Sequence, residues 1–154
     1  MGVSAQAIIG FGILCDLETV VPWNAAEFDG HLGNWWRSVN GFKDIIEPYT
    51  PDGQYAEGFS SGDPRLRQYY DHRNQWLEDN PLPIHVTDCI DDDMDYAIVL
   101  PESVFGCWDD KPKSFDPTSL VVTLEQVERL KEFLAKYEIK YECEPQWFLL
   151  TYFG

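Results

Sequence analysis

Residues 5–15, AQAIIGFGILC, form an apolar segment without a single charged side chain. Burial of apolar surface is the main favourable contribution to folding, so this segment belongs in the interior. Its short length and its isoleucines and phenylalanine predict a buried β-strand. Gly10 and Gly12 indicate a close approach of another part of the backbone, or a bulge. The fold is therefore expected to be organised around a sheet.

Two helices are predicted from their start signals. Asp63-Pro64 is an N-cap followed by proline at the first helical position, and the helix should run over residues 64–79. Thr123–Gln126 fits a capping box, and a helix should follow to about residue 137. The expected buried positions are Leu66, Tyr69, Tyr70, Trp76 and Leu77 in the first helix and Val127, Leu130, Leu134 and Tyr137 in the second.

Three further strands are predicted in the second half of the chain. Residues 84–89 and 96–100 flank an aspartate-rich turn, residues 105–117 read as a loop, and residues 146–154 should be central because they are apolar on both faces. These elements predict an α+β fold, a mainly antiparallel sheet with two or more helices packed on it. A chain of 154 residues suits one domain, residues 1–154.

Residues 22–62 are the least regular part of the sequence. Repeated glycine, proline and asparagine predict an irregular, aromatic-rich excursion within the domain. Its expected anchors are Trp23, Trp35, Trp36 and Phe42.

The net charge is −16, from 27 acidic and 11 basic residues. Such an excess would repel phosphate, which argues against direct binding of nucleic acid or of an anionic membrane. Hydrophobic residues make up 44% of the chain, too many for a disordered acidic tail. The apolar start carries no positive flank of a signal peptide, and the four cysteines are widely spaced. These features predict a protein of a reducing cytoplasm.

Metal and catalytic sites are predicted to be absent. Asp91, Asp93, Asp95 and Glu102 match four carboxylate positions of a twelve-residue EF-hand loop, but Tyr96 stands where that loop needs glycine. The three histidines lie far from one another and from the cysteines, which does not suit zinc. No phosphate-binding loop is present, and nothing in the sequence defines a catalytic triad. The prediction is a protein without cofactor and without enzymatic activity.

Acidic residues are concentrated in one segment. Residues 88–116 hold nine acidic residues and two lysines. By contrast, residues 124–137 mix both signs at i,i+3 and i,i+4 spacing, which predicts a salt-bridged helical face with little role in binding. The expected pairs are Glu125–Arg129, Glu128–Lys131 and Glu132–Lys136.

The segments AIIGFGIL, YAIVLPES and PQWFLLTYFG resemble those of small accessory proteins of tailed bacteriophages. That resemblance implies an inhibitor of a host enzyme, and acidic phage proteins of this kind include DNA mimics. Together with the charge, it predicts a protein that binds a basic DNA-binding protein of the bacterial host cytoplasm, with gyrase as first candidate. The carboxylates expected to imitate phosphates are Asp88, Asp91, Asp92, Asp93, Asp95, Glu102, Asp109, Asp110 and Asp116.

Two alternatives remain open from the sequence. One is a protein-binding module that uses exposed aromatic side chains of residues 22–62, above all Trp35 and Trp36. The other is a small enzyme or metal protein. The sequence leaves the oligomeric state open between monomer and dimer.

Overall fold

A computed structural model describes residues 5–16, 18–28, 30–88, 96–107, 114 and 116–153. Within these residues the chain forms three α-helices and a five-stranded antiparallel sheet, which confirms the α+β fold class. The helices are α1 (Leu32–Val39), α2 (Pro64–Asp79) and α3 (Leu124–Lys136). The strands are β1 (Ala5–Cys15), β2 (His85–Asp88), β3 (Tyr96–Val99), β4 (Phe105–Cys107) and β5 (Gln146–Phe153).

The centre of the sheet is β1. Its residues 5–12 pair with β5 along one edge, while its other edge pairs with β4 at residues 7–9 and with β3 at residues 12–15. Strand β2 extends the sheet beyond β3. Within the described residues β5 pairs with β1 alone, so the prediction that β5 is central is wrong.

Side chains of β5 contact apolar neighbours on both faces of the sheet. On one face, Leu150 and Phe148 join a buried cluster with Ile8 and Val99. On the other face, the ring of Trp147 lies 5.5 Å from that of Phe11 in an edge-on arrangement. Leu149, on the same face as Trp147, is 67% exposed, so the apolar pattern did not require two buried faces. The pattern also carried no information about hydrogen bonding at the strand's outer edge.

At Gly12 the backbone of β3 lies very close to β1. It lies opposite Val99, and a Cβ added to Gly12 would sit 1.9 Å from the carbonyl oxygen of Ile98. At Gly10 an added Cβ would meet the Val99 side chain at 3.0 Å. The close backbone approach predicted from these glycines is confirmed, and at Gly12 only a residue without a side chain fits.

A short 3₁₀ helix, Pro101–Ser103, connects β3 to β4, and β4 pairs with β1. The buried Ser103 hydroxyl accepts a hydrogen bond from the Phe11 amide at 2.8 Å and donates one to the Leu100 carbonyl at 2.7 Å. This side chain satisfies a backbone donor that the ladder would otherwise leave unpaired. Residues 105–107 were predicted as loop, and they form a strand because β1 offers an edge beside them.

The start signals of α2 and α3 act as predicted. The Asp63 carboxylate accepts from the Arg65 amide at 2.9 Å, and Pro64 opens α2. At α3, Thr123 and Gln126 exchange reciprocal hydrogen bonds, which completes the capping box. Of the predicted buried positions in α2, Leu66 is buried, whereas Tyr70 is 47% exposed.

Removal of the α2 cap should have a pH-dependent cost. Hydrogen bonds from the Arg65 side chain and amide lower the pKa of Asp63 below its ordinary value of 3.8. A depressed pKa means that the ionised carboxylate stabilises the fold above that value, and this contribution disappears as the pH falls through the folded-state pKa. We expect Asp63→Ala to lower the melting temperature by a constant amount from pH 7 to about pH 5, and by less below pH 3.8.

Thermal melts of the parent, Asp63→Ala and Asp63→Asn across this pH range would test the expectation. Asparagine keeps an oxygen that can cap the helix but cannot ionise, so its deficit should be smaller at pH 7. A deficit of Asp63→Ala that stays unchanged down to pH 2 would contradict the role of the ionised group.

The chain divides into two compact units. The sheet unit comprises Met1–Pro22 and Pro83–Gly154, and the helical unit comprises Trp23–Leu82. The sheet unit holds all five strands and α3, whose Leu130 and Leu134 are fully buried. The helical unit holds α1 and α2 and buries Trp23, Trp35 and Leu66. That residues 1–154 act as one domain stays a prediction.

The excursion predicted for residues 22–62 contains a regular element. Residues 32–39 form α1 although its first residues include Gly33 and its N-cap, His31, makes no side-chain capping bond. Trp35, in the middle of α1, is 2% exposed. Its burial stabilises the helix although the local helix signals are weak.

Candidate partner-binding surface

Most of the predicted acidic site lies outside the described residues. This holds for Asp91, Asp92, Asp93, Asp95, Asp109 and Asp110. Asp88 is placed in β2 opposite Tyr96, while its side chain is outside the described part. Glu102 and Asp116 are the two members whose side chains are described, and both make contacts within the chain.

Glu102 lies in the 3₁₀ helix after β3 and contacts α3. Its carboxylate forms an ion pair with Arg129 and accepts a hydrogen bond from the side-chain nitrogen Nε2 of Gln126 at 3.1 Å. Partial burial opposes ionisation of Glu102, but its own backbone amide and the charge of Arg129 outweigh this, and its pKa is lowered. Glu102 is thus ionised at neutral pH, with much of its charge neutralised by a neighbour.

Asp116 caps the short 3₁₀ helix Pro117–Ser119. Its side chain accepts from the Thr118 amide at 2.9 Å, and this hydrogen bonding lowers its pKa. The residue is exposed, so its carboxylate remains charged in contact with solvent. Of the two described members, Asp116 is the one whose charge has no cationic partner among the described residues.

The predicted salt bridges within α3 do not form. Arg129 pairs with Glu102, Lys131 pairs with Glu144, and the Lys136 ammonium lies 5.1 Å from the centre of the Tyr137 ring. The two basic side chains near the middle of α3 are therefore drawn to carboxylates outside the helix. Spacing at i,i+3 or i,i+4 allows two side chains to pair. Because such a pair stabilises a helix by only tenths of a kcal/mol, a better-placed carboxylate elsewhere in the chain can replace it.

An exposed row of carboxylates results on α3. The α3 carboxylate row consists of Glu125, Glu128 and Glu132, all exposed and none within ion-pair distance of a cation in the described residues. At 100° per residue these positions fall on one side of the helix. The row was not predicted from the sequence, because its glutamates were expected to pair with Arg129, Lys131 and Lys136. The excess of acidic over basic residues was the available signal, since it means that several carboxylates compete for each cation.

Several cations are paired with carboxylates inside the chain. Five ion pairs are present among the described residues, namely Arg65–Asp63, Arg67–Asp71, Arg73–Asp44, Arg129–Glu102 and Lys131–Glu144. Because acidic residues outnumber basic residues 27 to 11, this pairing leaves an exposed surplus of carboxylates.

The tryptophans of the aromatic alternative are not a surface patch. Trp35 is 2% exposed and its ring lies 5.3 Å from Trp23, as expected of an anchor of residues 22–62 and not of an exposed binding residue. Trp36 is half-buried and donates from its indole nitrogen to the Asn80 carbonyl at 2.9 Å. The exposed aromatic side chains of the helical unit are Tyr55, at 43%, and Tyr70, at 47%.

Two cysteine side chains are described, those of Cys15 and Cys143. Burial raises the pKa of the Cys15 thiol to about 12, so it stays protonated at neutral pH. Cys143 is exposed and lines an open cleft of about 490 Å³ with Asp16, Glu18 and Lys140, and no histidine is among the lining residues. Among the described residues no three His, Cys, Asp or Glu side chains are grouped as they would be around a metal ion.

In the described part of the chain no helix has the length and apolar character needed to cross a membrane. No family model, no curated protein and no solved structure matches this chain.

Proposed function

We propose that this protein is a DNA mimic, which binds the DNA-binding surface of a basic host protein and blocks it. A bacteriophage origin, the host cytoplasm as the place of action and gyrase as the target are parts of the same proposal. The observation that carries it is the exposed α3 carboxylate row in a chain of net charge −16.

The spacing of this row is compatible with a phosphate backbone. Glu125 and Glu132 are seven residues apart, or ~10.5 Å along the helix axis. One strand of DNA places about three phosphates in that length, at ~3.4 Å each. The row has three carboxylates, so its linear charge density is of the same order.

The acidic segment of residues 88–116 extends the proposal. Phosphate-like charges would be added to those of α3 by Asp88, Asp91–Asp93, Asp95, Asp109, Asp110 and Asp116. Glu102 contributes less, since Arg129 already neutralises it. A rigid helix fixes part of this charge, which lowers the entropic cost of presenting it to a Lys- or Arg-lined groove.

Two variants test the proposal in a gyrase supercoiling assay and in competition with duplex DNA. The turn variant changes Asp91, Asp92, Asp93 and Asp95 to Asn, and the row variant changes Glu125, Glu128 and Glu132 to Gln. We expect each to weaken inhibition at least ~10-fold, or ~1.4 kcal/mol. Binding of the parent should also weaken with salt, because exposed charges are screened beyond ~8 Å at physiological ionic strength.

The matched control removes three charges from the helical unit. It changes the exposed residues Glu47, Glu57 and Glu78 to Gln and should inhibit as well as the parent. Equal losses in the row and control variants would show a dependence on net charge alone. If the parent neither inhibits gyrase nor retains from host lysate a protein that duplex DNA displaces, the mimic proposal fails.

A second candidate is a protein-binding module that uses tyrosines. Tyr55 and Tyr70 are exposed, and the hydroxyls of Tyr49 and Tyr70 lie 2.5 Å apart, which holds these rings in place. Pre-ordered tyrosines are frequent anchors of protein interfaces. Binding that survives the turn and row variants but is lost in Tyr55→Ala would favour this candidate.

A further inference from the structure

Two arginines of the helical unit share one hydrogen-bond acceptor. The Asn34 side-chain oxygen accepts from Arg73 at 2.8 Å and from Arg37 at 2.9 Å. The two donor nitrogens are therefore within about 6 Å of each other. The carbon atoms at the centres of both guanidinium groups also lie 5.8 and 5.9 Å from the centre of the Phe42 ring.

The charges of this pair are not balanced. Asp44 forms an ion pair with Arg73 at 2.5 Å, whereas Arg37 forms none with any described residue. Burial and the charge of Arg73 lower the pKa of Arg37, which is the direction expected of a cation held beside another cation. The cluster keeps a net charge of one positive unit in a strongly acidic chain.

The cluster also has polar atoms without partners. The Arg37 Nε is buried and donates to no described residue, and among these residues the side chain bonds only to Asn34. The Nδ1 atom of His72, whose ring lies 5.0 Å from Phe42, is also buried and has no partner within the described part of the chain. Buried polar atoms in folded proteins are nearly always paired, so exceptions call for a physical reason.

Within the described residues the Arg37 guanidinium makes one hydrogen bond, to Asn34. A guanidinium has five N–H donors in a planar fork that matches an oxyanion. Arg73, by contrast, is well satisfied, since it also donates to the Tyr69 hydroxyl at 2.8 Å. The side chains of Arg73 and Asp44 are 15% and 27% exposed, so solvent reaches the edge of the cluster.

We propose that Arg37, Asn34 and Arg73 form a binding site for one carboxylate group of a ligand with an apolar body. One negative charge balances the single excess positive charge, whereas a phosphate monoester carries nearly two at neutral pH. A carboxylate accepts two parallel hydrogen bonds from a guanidinium fork. The aromatic rings of Phe42, Tyr69 and Trp76 around the cluster favour an apolar body over a fully hydrated one.

Benzoate is the probe, with benzamide as its uncharged analogue of the same shape. Both are titrated into the full chain at physiological salt, and the arginine Nε–H resonances are followed by NMR. We expect the Arg37 resonance to shift saturably with millimolar benzoate and to stay unchanged with benzamide. An equal response to both, no response to benzoate, or saturation by inorganic phosphate at lower concentration would overturn the proposal.

Arg37→Met separates binding from folding. Methionine keeps an unbranched chain and removes the charge and the unpaired donor, so we expect the melting temperature to be unchanged or raised while benzoate binding, read by calorimetry, is lost. Arg67→Met is the matched control, because Arg67 lies on α2 with 87% exposure and pairs with Asp71. It should bind benzoate as the parent does.

Two results with Arg37 variants would overturn the proposal. Arg37→Met that binds benzoate like the parent overturns the proposal. If that variant does not fold, Arg37→Lys retains the charge without the planar fork, and undiminished binding by it would also overturn the proposal. The α3 row variant should bind benzoate normally, so failure here is distinguishable from failure of the DNA-mimic proposal.

Discussion

Gly12→Ala is expected to destabilise the sheet unit by more than ~4 kcal/mol, among the largest effects of a single substitution. The added Cβ would lie 1.9 Å from the Ile98 carbonyl oxygen and 2.6 Å from the Val99 Cα. These are backbone atoms of β3, so they cannot rotate away, and β1 and β3 would have to separate. Since native proteins are stable by only ~5–15 kcal/mol, a large unfolded fraction at 37 °C is expected. Urea unfolding followed by circular dichroism would measure the change.

Gly33→Ala is the matched control. Gly33 lies in α1, and the nearest atoms to an added Cβ are 3.8 Å away, an ordinary contact distance. Alanine should stabilise this helical position by up to ~1 kcal/mol. A melting temperature of Gly12→Ala within a few degrees of the parent would contradict the close approach of β3 to β1.

Trp35→Ala should cost ~3–5 kcal/mol, the usual loss when a buried aromatic side chain is removed. Trp35 is 2% exposed, and its ring contacts Trp23 at 5.3 Å and Trp36 at 5.9 Å between centres. The cavity would open in the centre of the helical unit. Denaturant unfolding, read from tryptophan fluorescence and circular dichroism, would measure the loss.

Val39→Ala on the same helix provides the comparison. Val39 is 46% exposed, so its truncation removes little buried surface and should change stability by less than ~0.5 kcal/mol. If Trp35→Ala kept the parent's stability and instead weakened binding to a protein partner, the assignment of Trp35 to the core would be wrong.

Elements with strong local signals were predictable from the sequence. Asp63 with Pro64 specifies the start of α2, and Thr123 with Gln126 specifies the start of α3, because capping bonds join residues two or three apart. Apolar composition identified β1, β3 and β5 as strands for the same local reason. The glycines of β1 correctly indicated a close approach, although not which segment approaches.

The candidate surface was less predictable. The concentration of acid in residues 88–116 is a property of the sequence, and so is the net charge. The assignment of Arg129 to Glu125 was wrong because Glu102, distant in sequence, lies beside α3 in the fold. The Arg37–Asn34–Arg73 cluster left no local trace, since its members come from two helices separated by more than twenty residues.

The sequence by itself determined the fold class, the starts of α2 and α3, the identity of four strands and the surplus of negative charge. Each of these depends on composition or on neighbours a few residues apart. Only the tertiary structure decided that β1 is central, that residues 105–107 join the sheet, that residues 32–39 are helical and which carboxylates keep a cation. These outcomes depend on contacts between segments that are distant in sequence. Local preferences are worth only a few tenths of a kcal/mol to about 1 kcal/mol. Burial of Trp35, a free strand edge or a nearer carboxylate outweighs them.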